Sequence, residues 1–145
     1  MINELYQELI IDHGRRPRNF RAIDGANHTA EGYNPLCGDR CKVFLKESNG
    51  VIEEIAFQGA GCAISTSSAS LMTEALKGKS LGEAEQTLGR FFDLLTKDQP
   101  APAELGKLAV FSGVKEYPAR VKCATLAWHT LRAALRGADG KVSTE

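Results

Sequence analysis

The sequence predicts an α+β fold, a small three-stranded antiparallel sheet packed with about five helices. Three observations carry the prediction. Apolar and polar residues alternate with period two between Thr29 and Gly59, with an Asn49-Gly50 turn signal inside that stretch. Most of the remainder shows helical periodicity. Helix start and stop signals stand at Ser80 with Glu83, and at Pro118 with Gly137. A length of 145 residues, without an internal repeat or a linker, bounds the chain to one domain over 1–145.

The elements follow in order. Residues 2–11, INELYQELII, place Ile2, Leu5, Tyr6 and Leu9 at helical spacing, and Gly14 and Pro17 stop that helix. Arg15, Arg16, Arg18 and Arg21 follow it closely; they suit a solvated basic turn, or a docking patch for an acidic protein partner. In CKVFLKES, Cys41, Val43 and Leu45 alternate with Lys42, Phe44 and Lys46, and VIEEIAFQG supplies the return strand of a hairpin. A shorter strand around HTAEGYN extends the sheet to three. After Gly61, CAISTSSASLMTEALKG sets Ser65, Ser68 or Ala69, Met72 and Leu76 on one helix face, with Gly78 as its stop. Small side chains there let another backbone approach closely.

Ser80 and Glu83 form a capping box for a helix through about Leu95, whose apolar residues are Leu81, Leu88, Phe91, Phe92 and Leu95. A short helix over 103–111 carries Leu105, Leu108 and Phe111, and SGVKEY breaks it. The last helix opens at Pro118 and closes at Gly137, with Val121, Ala124, Trp128, Leu131 and Leu135 as its core stripe. Cys123 lies on a neighbouring face with Ala127, Thr130 and Ala134, all small enough to let a ligand-bearing segment sit close.

Composition narrows the function. Eighteen basic and 18 acidic side chains leave no net charge, which gives no reason to expect a nucleic-acid partner. No apolar run approaches membrane-spanning length, and the acidic, helical N-terminus is unlike a secretion signal, so a cytoplasmic protein is expected. Four cysteines in that setting read as reduced thiols serving as ligands or nucleophiles.

The thiols have a pattern. Cys37 and Asp39 stand in C-G-D at the entrance of a strand, and Gly38 permits a backbone that turns both side chains toward one point. Cys62 follows Gly59 and Gly61 at a strand-to-helix junction, where the helix's positive end favours a thiolate. Cys123 lies near the start of another helix, beside Arg120 and Lys122. Cys41 instead sits inside a strand. Three thiolates and a carboxylate fit tetrahedral zinc and could equally hold a [2Fe–2S] cluster. Carboxylate is a harder and weaker donor to iron than thiolate, so a set containing Asp39 suits a site that releases its cargo.

The stretches DHGRRPRNF at 12–20, NPLCGD at 34–39, FQGAGCAISTSSAS at 57–70 and KCATLAW at 122–128 resemble, in the same order, the motifs of the NifU/IscU-type iron–sulfur scaffold family. Two features resemble its SufU branch. Lys122 stands where the housekeeping branch has a histidine, without the Leu-Pro-Pro chaperone-recognition tract, and 60 residues separate Cys62 from Cys123, leaving room for an extra helix. For that branch the resemblance implies zinc on Cys37, Asp39, Cys62 and Cys123, and persulfide sulfur delivered to Cys37 by a SufS-type cysteine desulfurase. It implies other SUF assembly proteins as further partners and no dedicated Hsp70-type chaperone.

Three functions compete at this level. They are zinc-dependent sulfur acceptance, a scaffold for a transient [2Fe–2S] cluster, and a thiol–disulfide enzyme using Cys37 and Cys41. A hydrolase using zinc-bound water is weaker, since four protein ligands leave no open position. His13 could orient its loop or a partner, or simply sit at a helix end near the last carbonyls, Arg120 could reach Asp39 or an incoming persulfide or stay exposed, and Trp128 is read as core.

Overall fold

The structure, a computed structural model, describes residues 4–35, 38–97, 101–137 and 141–143, with side chains from Gln7 to Gly137 within those ranges. The elements run α1 (Glu4–Arg15), β1 (His28–Asn34), β2 (Asp39–Ser48), β3 (Val51–Ala60), α2 (Ala63–Leu76), α3 (Leu81–Thr96), a 3-10 helix (Ala103–Glu116), α4 (Pro118–Leu135) and β4 (Lys141–Ser143). The α+β fold, three antiparallel strands with five helices, is therefore present. The sheet order is β3-β2-β1-β4.

Hairpin chemistry sets the register. Asn49 and Gly50 both have positive φ, 54° and 79°, as a two-residue turn matched to strand twist requires. The pairings Ala30 with Val43, Val43 with Phe57 and Leu45 with Ile55 put one apolar face of the sheet against the helices. Asn34 and Asp39 pair at the end of β1 and β2 on that same face. The opposite face carries Glu31, Tyr33, Arg40 and Gln58, and part of it is covered by a small cluster of Ile23, Phe44 and Ala56.

Two close approaches bring α4 and α2 onto this sheet. A side chain at Gly32 would overlap Thr130 Oγ1 and lie 3.0 Å from Leu126 Cδ1, so the glycine is what lets α4 lie on β1. His28 Nδ1 meets the Ala134 carbonyl oxygen at 3.0 Å, so α4 runs antiparallel to β1 and its first turns reach the Asn34 end. The serine-rich α2 is packed, as its small residues suggested. Ser68 Oγ donates to the Ala124 carbonyl at 2.6 Å and accepts from Trp128 Nε1 at 3.0 Å. Trp128 is fully buried and stacks on Phe91 at 4.3 Å. The capping box of α3 is complete, with Ser80 and Glu83 each accepting the other's backbone N–H.

Three details differ from the sequence reading. The first helix passes Gly14 and ends at Arg15; the glycine serves a contact, because a Cβ there would stand 3.2 Å from Ala63 Cβ of α2. SGVKEY does not break the helix before it. The 3-10 segment runs on to Glu116 because Val114 is buried alongside Phe111, and its kink falls at Gly106, whose φ is 53°. A fourth strand, β4, pairs parallel with β1, and three residues are too few to show a periodic signal. Ile2, and the side chains of Leu5 and Tyr6, lie outside what is described.

Loop 16–21 and α1 are pinned to α2 by polar contacts. Ser70 Oγ receives the Arg18 N–H at 2.8 Å and meets His13 Nδ1 at 2.7 Å, and Asn19 Nδ2 donates to Thr73 Oγ1 at 3.0 Å. Arg18 also pairs with Asp12 at 2.7 Å, which holds the Asp12 carboxyl below its ordinary pKa. His13 is buried, with Glu74 at 3.6 Å from Nε2.

Gly32→Ala is expected to cost about 1–3 kcal/mol through overpacking, read as a lower denaturation midpoint. Adding Thr130→Ala should recover part of the loss; a double variant no better than the single would refute the contact. Burial first, then Arg18, keep the His13 pKa below the ordinary 6.5 despite Glu74 and Asp12. The unfolded chain therefore binds a proton first as pH falls, so His13's contribution is fully present above about pH 6.5 and declines below it. His129 is shifted in the same direction by burial and Arg132. Denaturant midpoints should fall between about pH 7 and pH 5, and His13→Gln should reduce that slope without abolishing it.

Candidate metal centre

At the end of the sheet where β1 and β2 meet, three residues from distant parts of the chain come together. The ligand atoms of Asp39, Cys62 and Cys123 all lie within 4.8 Å of one another. Asp39 opens β2 in step with Cys41, Val43 and Leu45, so the alternation that buries the core also turns its carboxylate inward, where it is 2% exposed. Cys62 is the N-cap of α2 and is exposed; its sulfur accepts the Ser65 backbone N–H at 3.5 Å. Cys123, in the second turn of α4, is buried. The carboxylate is tied to the α2 terminus, since Asp39 Oδ1 accepts the Cys62 backbone N–H at 3.2 Å.

The geometry suits a tetrahedral ion. With zinc–sulfur bonds of about 2.3 Å and zinc–oxygen bonds of about 2.0 Å, adjacent ligand atoms should stand roughly 3.5–3.8 Å apart. Cys62 Sγ and Asp39 Oδ2 are 4.0 Å apart, so this pair would close by about 0.5 Å around an ion. Space for the carboxylate depends on Gly61. A Cβ there would come to 2.8 Å from Asp39 Oδ1 and overlap Ser65 Oγ. Thiol and carboxylate donors together fit zinc or iron, and three such donors leave room for a fourth.

Cys37 lies outside the described residues. The loop that carries it is closed by a hydrogen bond from the Gly38 N–H to the Asn34 carbonyl at 2.8 Å, and Gly38 has φ +75°, the backbone its glycine was expected to permit. Cys41 belongs elsewhere. It is in the main hydrophobic core, and burial pushes its pKa up to about 12, which leaves almost no thiolate for redox chemistry.

Other candidates stay apart from the centre. His13 serves the α1–α2 packing, His28 meets the end of α4, and His129 lies against Phe92 at 4.7 Å. Arg120 is exposed and stacks over the Tyr117 ring at 4.6 Å. Two side chains that touch the sulfurs escaped the sequence reading. Ser65 sits three residues after Cys62, the spacing of an N-cap partner, which is a usable signal. Asn34, whose Nδ2 approaches Cys123 Sγ at 3.9 Å, has no local signal, because the packing of α4 on β1 makes that contact.

A family model described as NifU-like N terminal domain matches residues 5–125. Among curated relatives, the iron–sulfur cluster assembly scaffold protein IscU of Streptococcus pyogenes is 40% identical over 93% of this chain and 85% of its own length. The zinc-dependent sulfurtransferase SufU of Bacillus subtilis is 36% identical over 96% of this chain and 95% of its own. A crystal structure described as a candidate iron–sulfur cluster assembly scaffold protein for the SUF system, from Fervidobacterium islandicum, superposes with a TM-score of 0.84 at 34% identity, covering 88% of this chain and 94% of that one. Among the described residues no helix is long and apolar enough to cross a membrane.

Gly61→Ala should displace the Asp39 carboxylate and weaken zinc binding by about 10–100-fold in a chelator competition. Unchanged affinity would show that the space beside Gly61 is irrelevant to the ion.

Proposed function

The chain belongs to the NifU-like N-terminal domain family, and from that membership we propose that it acts in iron–sulfur cluster assembly as a zinc-dependent acceptor of persulfide sulfur. The sulfur comes from a SufS-type cysteine desulfurase, in the cytoplasm. Cys37, Asp39, Cys62 and Cys123 hold the zinc, and Cys37 receives the sulfur. The observation that carries this reading is the convergence of the Asp39, Cys62 and Cys123 donor atoms within 4.8 Å. The relationship to a zinc-dependent sulfurtransferase over nearly the whole of both chains supports it.

Zinc bound there would hold the thiols as thiolates while blunting their nucleophilicity. The remaining work falls to the chain. Asp39 is oriented by the Cys62 N–H, and Cys62 by the Ser65 N–H, so these donors keep their places when a partner draws one ligand away. The ligand drawn away is Cys37, carried on the loop between β1 and β2. Its thiolate attacks the terminal sulfur of the desulfurase persulfide. A sulfur–sulfur bond forms at Cys37, the partner's sulfur–sulfur bond breaks, and the partner's cysteine leaves as a thiolate, with no net oxidation or reduction.

A second reading, a scaffold that builds and releases a transient [2Fe–2S] cluster, is favoured by the carboxylate in the donor set and by the scaffold relatives. Metal and acid-labile sulfide analysis of protein purified without oxygen separates the two. Sulfur transfer predicts about one zinc per chain, faster desulfurase turnover on addition of the protein, and loss of persulfide acceptance in Cys37→Ala. Iron with matching sulfide, and no effect on the desulfurase, would replace it with the scaffold reading.

A further inference from the structure

We infer that the arginine-rich segment that ends α1 and leads to Phe20 is the docking surface for an acidic face of the sulfur-donating desulfurase. The inference rests on the sulfur-acceptor reading above and deepens it by naming the surface that holds the donor.

The segment is tied on both sides. Ser70 Oγ accepts the Arg18 N–H at 2.8 Å and Asn19 Nδ2 donates to Thr73 Oγ1 at 3.0 Å, which fastens it to α2. On the other side the Asn19 carbonyl accepts the Phe57 N–H and the Phe57 carbonyl accepts the Arg21 N–H, each at 3.0 Å, so Phe20 forms a parallel bridge with the edge of β3. Asn19 turns the chain with φ 58°, a left-handed conformation that asparagine tolerates better than most side chains. A loop already ordered in this way gives up little conformational entropy when a partner lands on it.

What it presents outward is basic and apolar. The Arg16 side chain is 86% exposed, Arg15 is exposed, and Phe20 is 47% exposed although its ring stands edge-on to Phe57 at 5.2 Å. Arginine and aromatic side chains are frequent anchors of protein–protein interfaces. Charge sets the sign of the partner. Arg16 and Arg18 share Asp12, Arg21 pairs with Glu54, and Arg15 has no carboxylate within ion-pair distance among the described residues. That positive excess suits a surface rich in carboxylates. A chain with no net charge, offering an aromatic ring beside few unmatched arginines, suits a protein better than a phosphate polymer or a lipid sheet.

Position points to the sulfur donor. A Cβ on Gly14 would stand 3.2 Å from Ala63 Cβ, next to the exposed Cys62, so the patch starts beside the candidate centre. It ends at the Arg21–Glu54 pair, and Glu54 lies roughly 20 Å back along β3 from Ala60. One interface of ordinary size, about 800 Å² per partner, spans that length together with the centre. The donor has to reach the centre, so its surface also meets this segment.

The experiment titrates the full zinc-loaded chain into a SufS-type desulfurase and reads the turnover of that enzyme. Arg15→Glu combined with Arg16→Glu reverses two exposed charges, and Phe20→Ser removes the ring. Each variant should raise the half-saturating concentration by about 10–100-fold while the maximal rate and the zinc content stay at the parent's values. Added salt should weaken the parent more than the charge-reversed variant. Half-saturation within about twofold of the parent in the charge-reversed variant would overturn the inference, and that variant decides alone should Phe20→Ser fail to fold. A lower maximal rate at an unmoved half-saturating concentration would overturn it too. So would tighter binding of the parent to phosphatidylglycerol vesicles or to an RNA oligonucleotide than to the desulfurase. A parent chain that neither binds nor accelerates the desulfurase would instead defeat the sulfur-acceptor reading, and this inference with it.

Discussion

The pairing register of β2 governs the position of the candidate carboxylate ligand, Asp39. Asp39, Cys41, Val43 and Leu45 occupy alternate positions of one strand, and the last three are buried against the helices. The area they remove from water holds the strand in that register, because a slip of one residue would turn all of them outward. Asp39 is carried inward by the same alternation. A buried carboxylate is unfavourable by itself, so the apolar residues of the strand stabilise a polar group that the local sequence would otherwise expose.

The sulfur ligands arrive by a different means, the close packing of small residues. Gly32 lets α4 lie on β1, Gly14 lets α1 meet α2, and Ser68 joins α2 to the Ala124 carbonyl of α4. Each contact brings a helix nearer than larger side chains would allow, and together they bring the Cys62 end of α2 and the Cys123 turn of α4 to the end of the sheet. Behind them, Trp128 and Phe91 fill the core.

The centre is asymmetric. Asp39 and Cys123 are buried, whereas Cys62 is exposed. One side of the site is thus backed by the core, and Cys62 is exposed on the other. Cys41, two residues along the strand from Asp39, belongs to the main hydrophobic core with Val43 and Leu45.

Much of this was determined by local sequence. The Asn49-Gly50 turn, the Ser80–Glu83 capping box, Pro118 at the start of α4 and the alternation of β2 each act within a few residues, so the elements and the inward position of Cys41 could be read directly. The grouping of Asp39, Cys62 and Cys123 was foreshadowed by motif resemblance, but their approach to within 4.8 Å came from tertiary structure. So did the β4 pairing, the continuation of the 3-10 segment through Val114, and the use of Gly14 as a contact in place of a helix stop. Asn34 illustrates the reason. Its side chain meets a sulfur 89 residues away, and only the packing of α4 on β1 brings the two together.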